Sequence, residues 1–210
     1  LGLALNAFHR SLILGALALA SLVVLAYLPV LAARPLLNYD DTSLLGVLQD
    51  IDSVEDWVNL YSDGRAIDVQ PVRDFSYLIE LKLEALIGMR LHHVDNAILF
   101  VGLGGGLWLA MRRLGITDRI AFWCIALTMM HPVNVETVAW ASGRKFLLAA
   151  LFCLLATTQL IRTNLDPLGQ LQPRALAMAW ICHLLAMMSQ PVVVLWPVVA
   201  MLLVGRKTWR

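Results

Sequence analysis

Two adjacent carboxylates, Asp40 and Asp41, follow the first long apolar run of the sequence within Asn38-Tyr39-Asp40-Asp41. At the mouth of a membrane bundle, low-dielectric surroundings can hold one such carboxyl with a raised pKa as a base, and the pair can hold a cation. An acidic pair also caps helices, and Asp41 is placed to cap a helix opening at Thr42. A second constellation, His131-Pro132-Val133-Asn134-Val135-Glu136, leads within a few residues to Arg144-Lys145. An ionisable group such as Glu136 at a membrane edge is expensive unless it is paired or functional. Arg144 and Lys145 are donors suited to a phosphate. Alternatively, Glu136 pairs with Arg144 as a strut and both cations anchor a helix at the interface. In the third cluster, His92-His93-Val94-Asp95-Asn96, adjacent histidines diverge on a helix, which argues against a shared metal ion. His183, beside Cys182, reads as a hydrogen-bonded histidine inside a bundle.

The elements that must position these residues follow from composition. Of 210 residues, 60% are hydrophobic and 15% charged, with mean hydropathy +0.73. Soluble domains run near half apolar and a quarter charged, so an ordinary soluble protein is excluded. A net charge of +1 excludes a nucleic-acid surface built on bulk charge. The cysteines, Cys124, Cys153 and Cys182, lie in apolar runs without metal-ligand spacing and read as small buried hydrophobes.

Residues 11–33 carry no charge and exceed the roughly twenty residues that cross a bilayer as a helix. A cleaved signal sequence is the rival reading, but the run is longer than a signal's apolar core. Further apolar runs lie between Asp95 and Arg112 and over 120–135, 146–161, 175–188 and 192–204. The expectation is an all-α membrane protein of about six transmembrane helices, a single domain over 1–210. Helix 1 occupies 11–33, an outer loop 34–92, and helices 2–6 fall within 93–210. The chain opens on Leu1 and is expected to be a piece of something longer, incomplete at its C-terminal end. With the N-terminus inside, Arg10, Arg112, Arg113, Arg119, Arg162, Arg174, Arg206, Lys207 and Arg210 share the cytoplasmic side, the positive bias that sets orientation. Asp40, Asp41, Glu136, Arg144 and Lys145 then share the outer side.

The long outer loop should carry structure of its own. Residues 73–91 fit a helix with Arg73, Tyr77, Glu80 and Glu84 on one stripe and Phe75, Ile79, Leu83 and Leu86 opposite, lying along the membrane surface. Lys82 falls among the apolar positions and must snorkel. A second surface helix is expected over 42–51, with its Leu44, Leu45 and Leu48 face apolar. In the second span, Gly102 and Gly106 stand at the spacing that lets a neighbouring helix approach closely.

Taken in order, these segments resemble the membrane part of the GT-C glycosyltransferase superfamily, most nearly bacterial TPR-containing membrane proteins and the transmembrane and TPR-repeat O-mannosyltransferases. The matching residues are Asn38-Tyr39-Asp40-Asp41, Gln70-Pro71-Val72, His92-His93 with Asn96, His131-Pro132, Val135-Glu136, Val138-Ala139-Trp140, Arg144-Lys145, Ser189-Gln190-Pro191 and Pro197. Gln70 stands where the family commonly has His or Arg, and Gln190 where it often has Lys. The resemblance implies an inverting enzyme that moves a sugar from a polyprenyl-phosphate donor, a membrane lipid, to a hydroxyl acceptor, which can be a protein, on the outer face. It implies Asp40 or Asp41 as the base, Arg144 and Lys145 as donor-phosphate contacts, and His131, Glu136 and His93 as orienting groups. It requires no cofactor and leaves room for a divalent metal. Bacterial inner-membrane residence is expected. A different expectation fits the same residues: a non-catalytic GT-C-derived subunit packed against other membrane subunits.

Overall fold

The computed structural model describes residues 14–15, 17–29, 40–164 and 172–205. Among these residues the chain is helical throughout, with no strand. Helix α1 (Leu17–Pro29) is followed by three helices of the expected outer loop: α2 (Asp40–Gln49), α3 (Val54–Ser62) and α4 (Pro71–Ile87). The bundle continues with α5 (His92–Arg113), α6 (Asp118–Met129), the short α7 (Asn134–Ala139) and a 3₁₀ turn, Ala141–Gly143, that runs into α8 (Arg144–Asn164). Then come α9 (Pro173–Ser189), a 3₁₀ segment Pro191–Leu195 and α10 (Trp196–Gly205).

The all-helical class agrees with the sequence reading, but the expected count of six spans is not reached by length. Among the described residues two segments, His92–Arg113 and Ala141–Ile161, are long and apolar enough to cross a membrane. The 12 residues of α6, 17 of α9 and 10 of α10 fall short of about twenty. The last expected span is broken because Pro191 and Pro197 sit near its start, where each removes a backbone donor and restricts the residue before it. Those shorter helices nonetheless expose large apolar side chains. Ile120, Trp123 and Leu127 do so on α6, and Trp180, Ile181 and Leu184 on α9. Apolar exposure on this scale marks contact with lipid or with another chain.

The main core joins α1, α5, α6 and α8 through Leu19, Val23, Tyr27, Phe100, Trp108, Ile125, Met129 and Leu147. Tyr27 meets Phe100 edge-on with ring centroids 5.8 Å apart. Close approach here uses glycine, though not at the expected pair. A side chain at Gly104 would strike Met129 and one at Gly106 would strike Leu154, whereas Gly102 faces open space. Helix α9 packs along α8 through Ala156, Leu160, Ala179 and Cys182, and the Trp196 indole N–H donates to Thr157 Oγ1 at 3.0 Å.

A second core lies among the loop helices, where Leu44, Leu45, Leu48 and Ile51 meet Leu60 of α3 and Tyr77 of α4. Helix α3 was not expected from the sequence. It is set by a capping box in which Ser53 Oγ accepts from the Asp56 N–H at 3.1 Å and Asp56 accepts from the Ser53 N–H at 2.9 Å. Helix α4 starts on Pro71, whose missing N–H costs nothing at a first turn, and stops at Gly88 in the left-handed conformation, φ 69°. It therefore ends short of the expected Leu91. Its faces divide as the spacing requires. Tyr77 and Glu80 are buried against the protein, while Phe75, Ile79, Leu83 and Leu86 are exposed. Lys82 reaches across to Asp52 at 2.5 Å, both groups largely exposed.

Candidate functional site

The polar face of α4 meets the start of α5, the first turn of α2 and the turn leading into α8, and three of the seven expected site residues, Asp41, His93 and Arg144, converge there. Asp41 lies inside the first turn of α2 and does not cap it. Its Oδ1 turns away from its own helix and accepts the Ser142 N–H at 3.0 Å together with the Ser142 hydroxyl. Its Oδ2 is buried and has no hydrogen-bond partner among the described residues. The Asp40 side chain lies outside the described residues.

Arg144 opens α8 and is 2% exposed. Its Nη2 pairs with Glu80, itself 1% exposed, and its Nε donates to Asn96 Oδ1 at 3.2 Å. The guanidinium lies over the Tyr77 ring, 4.4 Å from the centroid. Asn96 returns a donor to the Trp140 carbonyl at 2.8 Å, and the Tyr77 hydroxyl donates to the Ala141 carbonyl at 2.5 Å. Burial pushes the Tyr77 phenol well above its ordinary pKa, which keeps it a donor. The network ties α4, α5 and α8 together around the turn at Ala141–Gly143. Gly143 is indispensable to that turn, because any side chain there would collide with the Thr137 backbone carbonyl.

Two expected roles change in this geometry. Arg144 is not presented to a ligand, since its charge is spent on Glu80. Glu136 is exposed and does not serve as the strut for Arg144. Of the two expected phosphate contacts, Lys145 is the more accessible. It is half-buried beside the Trp140 and Phe146 rings, with Nζ 5.8 and 5.5 Å from their centroids. His131 is exposed and accepts the Val133 N–H on its own Nδ1 at 3.2 Å, away from the network. His93 is half-buried, within electrostatic reach of Asp41 and Glu80, with Nδ1 unpartnered among the described residues.

Sequence reasoning passed over Glu80 and Ser142. Glu80 was visible as one member of the α4 polar stripe, and a buried stripe needs a buried counter-charge. Ser142 gave no signal of its own. Close by, Gln70 donates to Gln190 at 3.1 Å and to Asp68 at 2.7 Å, while its own amide oxygen accepts from Arg73 at 3.1 Å. This joins the start of α4 to the end of α9.

No protein family matches the chain, and comparison with curated proteins and with solved structures finds no match either.

Proposed function

We propose that the chain is a membrane glycosyltransferase module that transfers a sugar from a polyprenyl-phosphate donor to a hydroxyl acceptor, with Asp41 as the general base. The observation that carries this reading is the asymmetric environment of Asp41, with Oδ1 held by Ser142 and Oδ2 buried without a partner. A fixed carboxylate with one unengaged oxygen is what a base needs in order to take a hydroxyl proton as the sugar bond breaks. An acceptor must reach Oδ2 past the groups that cover it, so donor binding has to open that path. Lys145 offers the departing phosphate a cation, and His93 stands where it can orient the carboxyl. In this reading the remaining apolar helices also cross the bilayer, for six crossings in a bacterial inner membrane. The N-terminus is then cytoplasmic and the α2–α4 segment on the outer side.

A second reading is favoured by Gln70 and Gln190. Both amides occupy positions where the resembling family carries cations, and they bond to each other. The buried Glu80–Arg144–Asn96 network is likewise complete without a substrate. This describes a non-catalytic subunit that kept the scaffold and packs within a larger membrane complex.

The experiment is Asp41→Asn in membranes supplied with polyprenyl-phosphate sugar. The transferase reading expects transfer to fall about 10²- to 10⁴-fold with the protein still folded. Full retention of transfer sinks the assignment of Asp41. A wild-type protein that neither binds the donor nor transfers sugar, and that purifies in a stoichiometric complex, establishes the second reading.

A further inference from the structure

Glu80 and Glu84 stand one helical turn apart on α4, and His92 opens α5 just beyond the Gly88 turn. One ligand atom from each lies within 4.8 Å of the others. Glu80 and His92 are more than nine-tenths buried, and the Glu84 side chain is 15% exposed. Both imidazole nitrogens face carboxylates: Nδ1 toward Glu80, and Nε2 3.7 Å from Glu84 Oε1. A separation of 3.7 Å is too long for a hydrogen bond. It is close to the span of two metal bonds of about 2.0–2.2 Å meeting at one ion.

Charge points the same way. Glu80, Glu84 and Asp95 lie in mutual electrostatic reach, and the permanent cation among them is Arg144, paired with Glu80 and 3.7 Å from Asp95. Three carboxyl groups face one guanidinium and one imidazole, so acidic groups are in excess in a largely buried cluster. Uncompensated buried charge is costly, and one divalent cation balances it.

We propose that Glu80, Glu84 and His92 form a divalent-cation site of the Zn²⁺ type, stapling α4 to α5. Carboxylate oxygens and a neutral imidazole nitrogen are each zinc donors, and three protein ligands leave a fourth position for water or a substrate oxygen. An ion on His92 Nε2 would reach Glu84 with little movement, whereas Glu80 would have to leave Nδ1 and swing toward Nε2 to complete the set. Arg144 remains on the second oxygen of Glu80 as an outer partner that fixes the carboxylate. The site is independent of the sugar-transfer reading. The competing occupant is a proton, which would make His92 an imidazolium bridging the two glutamates.

The test uses the untagged full chain in mild detergent, stripped with chelator and titrated with Zn²⁺ alone against a chromophoric competitor, with thermal unfolding followed in parallel. The site predicts one tight equivalent and a rise in Tm. Glu84→Gln keeps an oxygen for the Leu91 N–H that Glu84 Oε1 accepts at 2.5 Å, so it should fold normally. It should still bind Zn²⁺ at least tenfold more weakly, and Glu84→Gln/His92→Gln should lose the equivalent and the Tm rise. Wild-type protein that binds no Zn²⁺, or a double variant that binds it as tightly as wild type, overturns the proposal in favour of the protonated bridge.

Discussion

Gln70, at the start of α4, and Gln190, at the end of α9, are hydrogen-bond partners across 3.1 Å. The resemblance implies His or Arg at the first position and Lys at the second, and the fold brings the two amides together. Cations at both would converge beside Arg73, three positive groups against the two carboxylates of Asp68 and Asp74, an excess that a bound anion would relieve. Two neutral amides close the gap by bonding to each other. Gln70→Arg and Gln190→Lys should each lower stability modestly, and the double variant by more than the sum of the two. Thermal melts of the four proteins, repeated with added phosphate, measure the coupling. Additive losses with no response to phosphate would show that the cations do not meet.

The Glu80–Arg144 pair should behave as a buried ion pair whose value shows only when one partner is removed. Arg144→Met alone strands Glu80 in a site almost closed to water, a loss of about 3–5 kcal/mol, while Glu80→Gln leaves Arg144 the more distant Asp95 and costs somewhat less. Replacing both with apolar residues of similar volume should recover most of that. Chemical unfolding in detergent, read by tryptophan emission, checks the order: wild type and double variant close together, both single variants well below.

Gly143 yields a prediction of a different kind. A methyl group there meets the Thr137 carbonyl, which is backbone and cannot swing aside. Gly143→Ala should therefore cost at least the 1–3 kcal/mol or so typical of overpacking and displace the Ala141–Gly143 turn. Loss of the Ser142 contact to Asp41 would accompany it. Ser142→Ala, which leaves the backbone donor in place, removes a buried hydrogen bond to a carboxylate and should cost about 1.5–3 kcal/mol without moving the turn. Comparing the two melting temperatures separates turn geometry from the hydroxyl bond.

Much of this arrangement is legible from residue spacing. The opposed faces of α4 follow from where Phe75, Ile79, Leu83 and Leu86 fall, and the Asp41, Asn96 and Arg144 segments do converge. What spacing withheld was partner choice. Arg144 selects Glu80 rather than Glu136 because the polar stripe of α4 is turned inward, and no local pattern states which of two acids a distant helix will deliver. Helix α3 is short, nine residues, but Val54, Trp57, Val58 and Tyr61 fall at helical spacing behind the Ser53–Asp56 capping box, a signal the sequence did carry. Hydropathy marked where the apolar runs lie but not how long each helix is: among the described residues two reach spanning length, and Pro191 and Pro197 interrupt the last run.

The α3 cap carries a pH dependence. Asp56 is held below its ordinary pKa of 3.8, first by the Ser53 hydroxyl and then by the Asp52 and Ser53 backbone N–H groups. A carboxyl with a lowered folded-state pKa contributes stability that is present above the unfolded value and is lost as pH falls through the folded one. Protection of the α3 amides against hydrogen exchange, corrected for intrinsic rate, should hold down to about pH 4 and decline below it. Asp56→Asn should remove that decline by lowering protection at every pH. An unchanged acid limb in the variant would mean that another group controls α3.

The apolar face of α4 leads to the last prediction. Phe75, Ile79, Leu83 and Leu86 are 44–82% exposed, and with Trp57 and Val54 they line a groove of about 670 Å³ between α3 and α4. Lys82 and Asp52 sit at its edge and pair with each other, as charges at an apolar–polar boundary do. If this face lies in the headgroup region, a nitroxide at Leu86 should be more accessible to oxygen than to a water-soluble nickel complex, and one at Glu55 on α3 should show the reverse. The labels go into a background with Cys124, Cys153 and Cys182 replaced, in liposomes. Equal accessibility at both positions would place the face in water, and Leu86→Asp should then be harmless. At a lipid boundary, the same substitution should displace α4 from the bilayer and loosen the α2–α3–α4 core, where Tyr77 of α4 meets Leu60.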